Sequence, residues 1–435
     1  MKAGLIKQFL AAIAAHPFLT LVAALLIPAA IQHFGVLLEN VDYPGVCEKD
    51  YTQDFVMVAA LRAGDSPYAP IPELIARYLP ACQHVPLNAH PSPHPISMAV
   101  LVSPLAGVLS YTQSYALWMA IESLALLCAL LLCARIPEQR PSAPTLAFVA
   151  IAVLSAFTSY DDIFLGQANF TILALLCVAL LLLKQNRDAG AGVVFGIAIG
   201  IKFFGWPIAV LLLARKRWKA AAGLGVGFVL VQIVSWSVSG LATLRHYYQE
   251  VVPTMTAFYA SCGLNQSLST LPLHLFRGYS EHCYNWPDDG ALAVPLFESE
   301  RLLQITMPFL PLLLAVAIFA WAYRTPKLRD AIVGLTCFSV VLTPVVWGHA
   351  AVLSYILLIS LYEYRASVIK SPLAILLLAL WIGAVFIIPT FVPGSPHRDF
   401  LAALHNISVL LAALSSASLA LWLPRISIAR DEVGK

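Results

Sequence analysis

Long apolar runs fill nearly the whole of this 435-residue chain, and they leave few folds open to it. A membrane-spanning helix needs about 20 apolar residues, because its backbone groups must bond to one another in hydrocarbon. Hydrophobic residues make up 60% of the chain and charged residues 11%, whereas soluble domains carry roughly 25% charged residues. This composition excludes a soluble enzyme, a nucleic-acid binder and a disordered chain. It predicts an all-α, polytopic membrane protein that forms a single integral membrane domain over residues 1–435.

Most of the apolar runs are clear candidates for membrane spans. They are residues 18–37, 114–134, 144–159, 168–184, 219–238, 302–322, 331–346, 371–392 and 400–422. Three further stretches are ambiguous. Residues 189–214 are interrupted by Lys202 and by Gly205-Trp206-Pro207, residues 350–362 are short, and residues 95–110 contain two prolines.

Two topologies give about twelve crossings. In the first, residues 95–110 are re-entrant or interfacial, and residues 189–214 form two short helices that meet near Lys202. In the second, residues 95–110 span the membrane and residues 189–214 form one helix. The first places more of the 26 Lys and Arg residues in inner loops, so the positive-inside rule favours it. Both topologies place the N- and C-termini in the cytoplasm.

Two long hydrophilic stretches, residues 38–94 and 239–300, face outward in either topology, and we expect both to be folded. Outer-face cysteines in even number suggest an oxidising compartment. The within-loop pairs Cys47–Cys82 and Cys262–Cys283 are the easiest disulfides to close, while other pairings and four free thiols stay open. No Cys/His cluster has zinc spacing. The acidic residues Glu48, Asp50 and Asp54 could bind a divalent cation, although a solvated loop also explains them.

Charged residues at membrane depth are functional candidates by default, because hydrocarbon solvates them poorly. Asp54 directly precedes the apolar run 55–61, which predicts a short interfacial helix that ends near Gly64. A helix N-cap is the simpler interpretation of that carboxylate. Lys202 lies inside an apolar stretch. It either snorkels to the interface or faces a cavity that holds an anionic phosphate.

Other polar residues stand at the ends of apolar runs. Gln167 and Asn169 open the span 168–184 after Asp161 and Asp162, and they suit a hydroxyl-rich ligand or an ordinary polar loop. His349 stands where two apolar runs meet, which is also typical of an interfacial histidine. The stretch Asn265-Gln266-Ser267 has no catalytic signature of its own. No phosphate-binding loop, nucleophile elbow or zinc-protease motif is present, which argues against a nucleotide-hydrolysing pump and an intramembrane zinc protease.

Taken in order along the chain, these features resemble a known family. The order is Asp54-Phe55-Val56, Gly64-Asp65-Ser66-Pro67-Tyr68, His94-Pro95, Gly166-Gln167-Ala168-Asn169, Lys202, Asn265-Gln266-Ser267-Leu268 and Thr343-Pro344-Val345-Val346-Trp347-Gly348-His349. This series is similar to that of the bacterial polyprenol-phosphate-mannose-dependent α-mannosyltransferases, which include the mycobacterial phosphatidylinositol mannoside mannosyltransferase. One departure is His94-Pro95-Ile96, where the family often has Tyr-Pro-Pro.

The resemblance implies a GT-C-type glycosyltransferase of the bacterial inner membrane, with its active site facing the periplasm or exterior. Its donor would be a sugar on a polyprenyl phosphate, most simply mannose, and its acceptor a lipid-linked or glycan hydroxyl. By matching position, Asp54 is the catalytic carboxylate and His349 assists it. The resemblance assigns Lys202, Gln167, Asn169, Asn265, Gln266 and Ser267 to the donor phosphate and sugar, and His94 and Tyr68 to the acceptor side.

The chemistry fits one displacement with inversion, which needs a single general base rather than the paired carboxylates of a retaining hydrolase. The expected partners are membrane lipids, the lipid donor and the acceptor, with no nucleic acid. No cofactor is implied besides the co-substrate, and a divalent metal stays open. Two alternatives also stay open. One is a related transferase of arabinose, glucose or galactose. The other is a lipid or solute transporter, which the lack of internal repeats disfavours.

Overall fold

The protein is built from helices. The computed structural model describes residues 17–39, 41, 47, 49–82, 90–260, 262, 265–277, 295, 297–387 and 407–433, and no strand occurs among them. The helices are α1 (Pro17–Glu39), α2 (Asp50–Ala63), α3 (Ile71–Tyr78), α4 (Ile96–Ala106), α5 (Tyr111–Arg135), α6 (Ala143–Ser155), α7 (Phe157–Leu165), α8 (Asn169–Lys184), α9 (Asp188–Ile201), α10 (Pro207–Ala214), α11 (Trp218–His246), α12 (Val252–Ala260), α13 (Leu271–Phe276), α14 (Glu300–Arg324), α15 (Leu328–Ser339), α16 (Leu358–Val368), α17 (Pro372–Ile382) and α18 (Ser408–Val433). A 3₁₀ helix, Gly348–Leu357, leads into α16, and a π turn, Tyr247–Val251, joins α11 to α12.

Several helices have the length and composition of membrane spans. Within the described residues, six helical segments are long and apolar enough to cross a membrane, and seven if α6 and α7, bent by 60°, count as one span. Large apolar side chains on these segments are exposed, such as Leu25 of α1 at 69% and Leu313 of α14 at 64%. Such surfaces suit lipid rather than water. The predicted all-α membrane protein is therefore confirmed, while the count of about twelve crossings stays a prediction.

The two stretches that distinguished the topologies agree with the first of them. Helix α4 has 11 residues and would extend only about 16 Å at 1.5 Å per residue, against a hydrocarbon core of about 30 Å. Helix α9 ends at Ile201 and α10 begins at Pro207, so residues 189–214 form two short helices. The break contains Gly205 with φ 88°, a conformation that glycine adopts without strain.

Two sequence boundaries differ from the structure. The predicted span 331–346 is wrong as one continuous helix, because α15 ends at Ser339 and Thr343 is extended, with ψ 147°. Pro344 accounts for this, since a proline pushes the preceding residue out of the helical region. The predicted second outer loop begins at residue 239, yet helical structure continues through Ala260, past a bend at Gly240.

Helices α9 and α11 approach each other closely along a row of glycines. Gly192 and Gly196 of α9 face the α11 backbone, and Gly223 and Gly227 of α11 face the α9 backbone. A Cβ atom at Gly196 would lie 2.1 Å from the Leu224 carbonyl oxygen. Small residues of this kind let membrane helices pack backbone to backbone. The packing fixes the C-terminal end of α9, and Lys202 follows directly.

Cysteines join the region before α2 to the region after α3. Cys47 and Cys82 are buried and form a disulfide, with Cα atoms 5.6 Å apart. Cys262 is also disulfide-bonded, and its predicted partner, Cys283, lies outside the described residues. Four thiols in helices are free, namely Cys128, Cys133, Cys177 and Cys337.

Candidate active site

Asp54 lies in the second turn of α2, and its carboxylate is completely buried. Lys49 occupies the N-cap position of this helix, and Gly64, with φ 79°, ends it. The interpretation of Asp54 as an N-cap is therefore wrong, because the residue lies one turn inside the helix. A buried carboxylate needs partners to offset the loss of hydration. Asp54 Oδ2 has no hydrogen-bond partner among the described residues. The carboxylate therefore depends on the one hydrogen-bond partner of its other oxygen, Oδ1.

That partner is His94, a residue predicted for the acceptor side. His94 Nδ1 lies 2.9 Å from Asp54 Oδ1. The His94 backbone is held from two sides, by the Ser92 hydroxyl, which accepts from the His94 N–H at 3.2 Å, and by Tyr68 Oη, which donates to the His94 carbonyl at 3.1 Å. Tyr68 stacks on Tyr247 with ring centroids 5.3 Å apart. Tyr68 therefore positions His94.

Lys202 connects two amides that sequence reasoning assigned to the donor. Its ammonium donates to Gln167 Oε1 and, at 3.3 Å, to Asn169 Oδ1. Asn169 Nδ2 in turn donates to Asp162 Oδ1 at 2.6 Å. Gln167 Nε2 donates to Asp50 Oδ2. The Lys202 ammonium is therefore held at this position by protein groups.

Asp50 opens α2 one helical turn before Asp54 and completes this polar chain. Burial raises the pKa of the Asp50 carboxyl, and the positive charge of Lys202 acts against that rise. The acidic residues of the first loop were candidates for a divalent cation. Across the described residues, which leave out Glu48, no group of three or more His, Cys, Asp or Glu side chains is arranged to hold a metal ion.

A cavity of about 400 Å³ opens beside these groups. The polar residues that line it include His94, Gln167, Lys202 and His349, together with Thr256 and Thr343. Most of the remaining wall is aromatic or aliphatic, and it includes Phe203, Phe204, Trp206, Tyr247, Tyr248, Val252, Met255, Val346 and Trp347. Asp54 and Asn169 do not line the cavity and lie behind His94 and Lys202. The site can thus hold an anionic group next to an apolar chain.

His349 lies at the start of the 3₁₀ helix Gly348–Leu357 and is only 5% exposed. Its Nδ1 is 4.0 Å from Asp161 Oδ2, which lies on α7. The break at Pro344 brings this histidine to the cavity, because the chain leaves α15 and returns as a 3₁₀ helix. His349 is therefore buried at the cavity wall rather than exposed at an interface.

The chain matches a known protein family. The model of glycosyltransferase family 87 matches residues 93–344, which is more than half of the chain. The chain belongs to glycosyltransferase family 87. No curated protein and no solved structure matches it at a significant level. The prediction of a membrane glycosyltransferase is confirmed. Asp54 and His349 lie outside the matched range.

In this family-87 glycosyltransferase, the stretch Asn265-Gln266-Ser267 is buried and does not line the cavity. Asn265 Nδ2 donates to the Pro344 carbonyl at 2.9 Å, and Asn265 Oδ1 accepts from the Val346 N–H at 3.0 Å. Gln266 Oε1 accepts from the Val409 N–H at 2.8 Å. The stretch therefore holds the Pro344–Val346 wall and α18 in place, and its assignment to the donor stays a prediction.

Sequence reasoning missed Glu122, which is completely buried in α5. One carboxylate oxygen accepts from the Phe170 and Thr171 N–H groups, each at 3.1 Å, and the other accepts from the Thr171 hydroxyl. Glu122 thus caps the N-terminus of α8 from a neighbouring helix, which fixes Asn169 beside Lys202. A single Glu inside an otherwise apolar span was the available signal.

Proposed function

We propose that this glycosyltransferase moves a sugar, most simply mannose, from a polyprenyl-phosphate donor to a lipid-linked or glycan hydroxyl. The observation that carries the proposal is the Lys202 ammonium, held by two amides at a cavity whose other walls are largely apolar. A polyprenyl phosphosugar has the same two parts, a phosphate and a long hydrocarbon chain. The resemblance to polyprenol-phosphate-mannose-dependent enzymes supports mannose as the sugar.

On the donor side, Lys202 neutralises the phosphate. Charge on the phosphate oxygen grows as the bond to the sugar breaks, and a fixed cation stabilises that charge more in a water-poor site than in water. Gln167 and Asn169 orient the ammonium, and Gln167 also lines the cavity, where its amide can reach a sugar hydroxyl. His349 lies on the same cavity and assists at the phosphate or sugar.

On the acceptor side, the Asp54 carboxylate is the source of the basicity. The acceptor oxygen attacks the sugar C1 from the face opposite the phosphate, and the C1–O bond to the phosphate breaks. The polyprenyl phosphate leaves with the electron pair of that bond. One displacement inverts the configuration, so a β-linked donor gives an α-glycoside. This reaction needs one general base for the acceptor proton, and the hydrogen-bonded pair of Asp54 and His94 lies where such a base is required.

The apolar wall suits the hydrocarbon of the donor. Phe203, Trp206 and Tyr248 line the cavity and are 41%, 42% and 38% exposed. Exposed aromatic rings beside a membrane protein's cavity give a prenyl chain a continuous path to the lipid. We propose that the protein lies in the bacterial inner membrane with this cavity facing the periplasm, since inner loops hold most of its Lys and Arg residues.

The test is transfer by the purified protein in lipid nanodiscs. Separate reactions contain polyprenyl phosphate carrying mannose, glucose, galactose or arabinose, or a soluble nucleotide sugar. We expect transfer from the polyprenyl phosphomannose, an α-linked product and no use of the nucleotide sugar. Transfer only from a nucleotide sugar, or retention of configuration, contradicts the proposal. Movement of the intact donor across a liposome membrane without transfer supports the transporter instead.

A further inference from the structure

The imidazole of His94 stands between the cavity and the Asp54 carboxylate. Asp54 is completely buried and does not line the cavity, whereas His94 does. An acceptor hydroxyl in the cavity therefore meets the imidazole before it can meet the carboxylate. The one side-chain hydrogen bond of Asp54 among the described residues joins its Oδ1 to Nδ1 of that imidazole, at 2.9 Å.

The hydrogen bond decides which nitrogen of His94 can take a proton. An ionised carboxylate only accepts hydrogen bonds, so Nδ1 carries the ring proton. In the neutral imidazole the lone pair is then on Nε2. Nε2 makes no hydrogen bond to any residue that the structure describes, and the ring lines the cavity. A basic nitrogen is thus available to a ligand.

The backbone holds this ring firmly. Pro93 and Pro95 flank His94 and fix their own φ angles, and each proline restricts the residue before it. The bonds to Tyr68 and Ser92 hold the carbonyl and the N–H of His94. A ring fixed at the backbone and at Nδ1 has little freedom left, which is what a proton acceptor in a transfer reaction requires.

We propose that His94 is the catalytic group that takes the proton of the acceptor hydroxyl, and that Asp54 is a positioning residue that holds the ring and its tautomer. This inference rests on the proposed function. The acceptor O–H bond breaks as its oxygen bonds to the sugar C1. The proton moves to His94 Nε2, and the polyprenyl phosphate leaves with the electrons of the C1–O bond. The imidazolium, stabilised by Asp54, later releases the proton to water.

The experiment compares His94→Ala, His94→Gln and wild type, each with and without added imidazole. We expect kcat of His94→Ala to fall by roughly 10²–10⁴-fold, with the KM for the donor within a few-fold of wild type. Imidazole should restore part of the rate, because it can enter the space that the side chain left. In Asp54→Asn the ring of His94 still fills that space, so imidazole should restore nothing.

His94→Gln carries the test if His94→Ala fails to fold, since the amide can still donate to Asp54 but cannot take the proton. Its kcat should fall over the same range. His90→Gln is the matched control, because His90 lies on the same segment, bonds to Tyr259 Oη at 2.8 Å and does not line the cavity. Its rate should stay within a few-fold of wild type and should not respond to imidazole.

Two outcomes overturn the assignment. One is transfer by a folded His94 variant within a few-fold of wild type, and the other is a lost rate in folded His94→Ala that imidazole does not restore. These results differ from a failure of the proposed function. In that case wild type itself transfers no sugar from any polyprenyl phosphosugar.

Discussion

Gly227→Ala tests how the packing of α9 on α11 positions the site. A Cβ atom at Gly227 would lie 2.0 Å from the Val193 carbonyl oxygen, on the facing helix. Carbon and oxygen atoms in contact are ordinarily about 3.3–3.6 Å apart. The two helices must therefore separate by more than about 1 Å, or their backbones must bend. Overpacking of this kind costs about 1–3 kcal/mol.

Gly225→Ala is the matched control, two residues away on the same helix. A Cβ atom at Gly225 meets nothing within 4 Å. Alanine in a helix interior is favoured over glycine by about 0.5–1 kcal/mol, so this variant should be neutral or slightly stabilised. The two substitutions add the same methyl group to the same helix, and only the facing helix distinguishes them.

The measurements are the apparent Tm of each purified variant and its donor KM. We expect Gly227→Ala to melt several degrees lower than Gly225→Ala, since about 1 kcal/mol shifts the Tm of a mid-sized domain by roughly 2–4 °C. The donor KM should rise as well, because α9 leads directly into Lys202. Equal melting temperatures for the two variants refute the close packing of α9 on α11.

Three further predictions concern single contacts. Lys202→Met keeps the length of the side chain and removes the charge that faces the phosphate. Donor affinity should fall by roughly tenfold or more, and kcat should fall as well; an unchanged KM for the donor would contradict the role of Lys202. Glu122→Ala leaves three hydrogen-bond donors of α8 without their acceptor, and each unpaired group lowers the free energy of unfolding by about 1–3 kcal/mol. The Tm of Glu122→Ala should therefore fall clearly further than that of Glu122→Gln, which keeps one acceptor oxygen. Cys47→Ser and Cys82→Ser should each lower the free energy of unfolding by about 2–4 kcal/mol, and the double variant should lower it by no more than that. Additive losses would show that the two cysteines do not form one bond.

Local sequence signals predicted the elements that local chemistry controls. The interruption of residues 189–214 at Lys202 and Gly205-Trp206-Pro207, together with the positive-inside rule, favoured two short helices. The structure places the end of α9 and the start of α10 there. The apolar run 55–61 predicted the short helix that carries Asp54, with its end near Gly64, and the structure ends the helix there. Apolar composition alone was sufficient for the class of membrane protein.

Contacts between segments that are distant in sequence could not be predicted from those local signals. The pairing of Asp54 with His94 joins residues 40 positions apart, and the pairing of Lys202 with Gln167 joins residues 35 positions apart. Neither pairing can be predicted from the helical period of 3.6 residues. The family resemblance assigned Asn265 to the donor, and the fold uses its amide to hold Pro344 and Val346. Polar residues show where hydrogen bonds form, whereas their partners depend on the fold.

Single-turnover transfer by Asp54→Asn, with a polyprenyl phosphosugar and saturating acceptor, tests the central claim most directly. The amide keeps the size of the side chain and can still bond to His94, but it removes the negative charge behind the ring. We expect a loss of roughly 10²–10⁴-fold in rate, with donor binding retained. Asp65→Asn is the control, because that carboxylate is 39% exposed and pairs with Arg77, and its rate should match wild type. If Asp54→Asn turns over within a few-fold of wild type, Asp54 only supports the fold and the catalytic account is wrong.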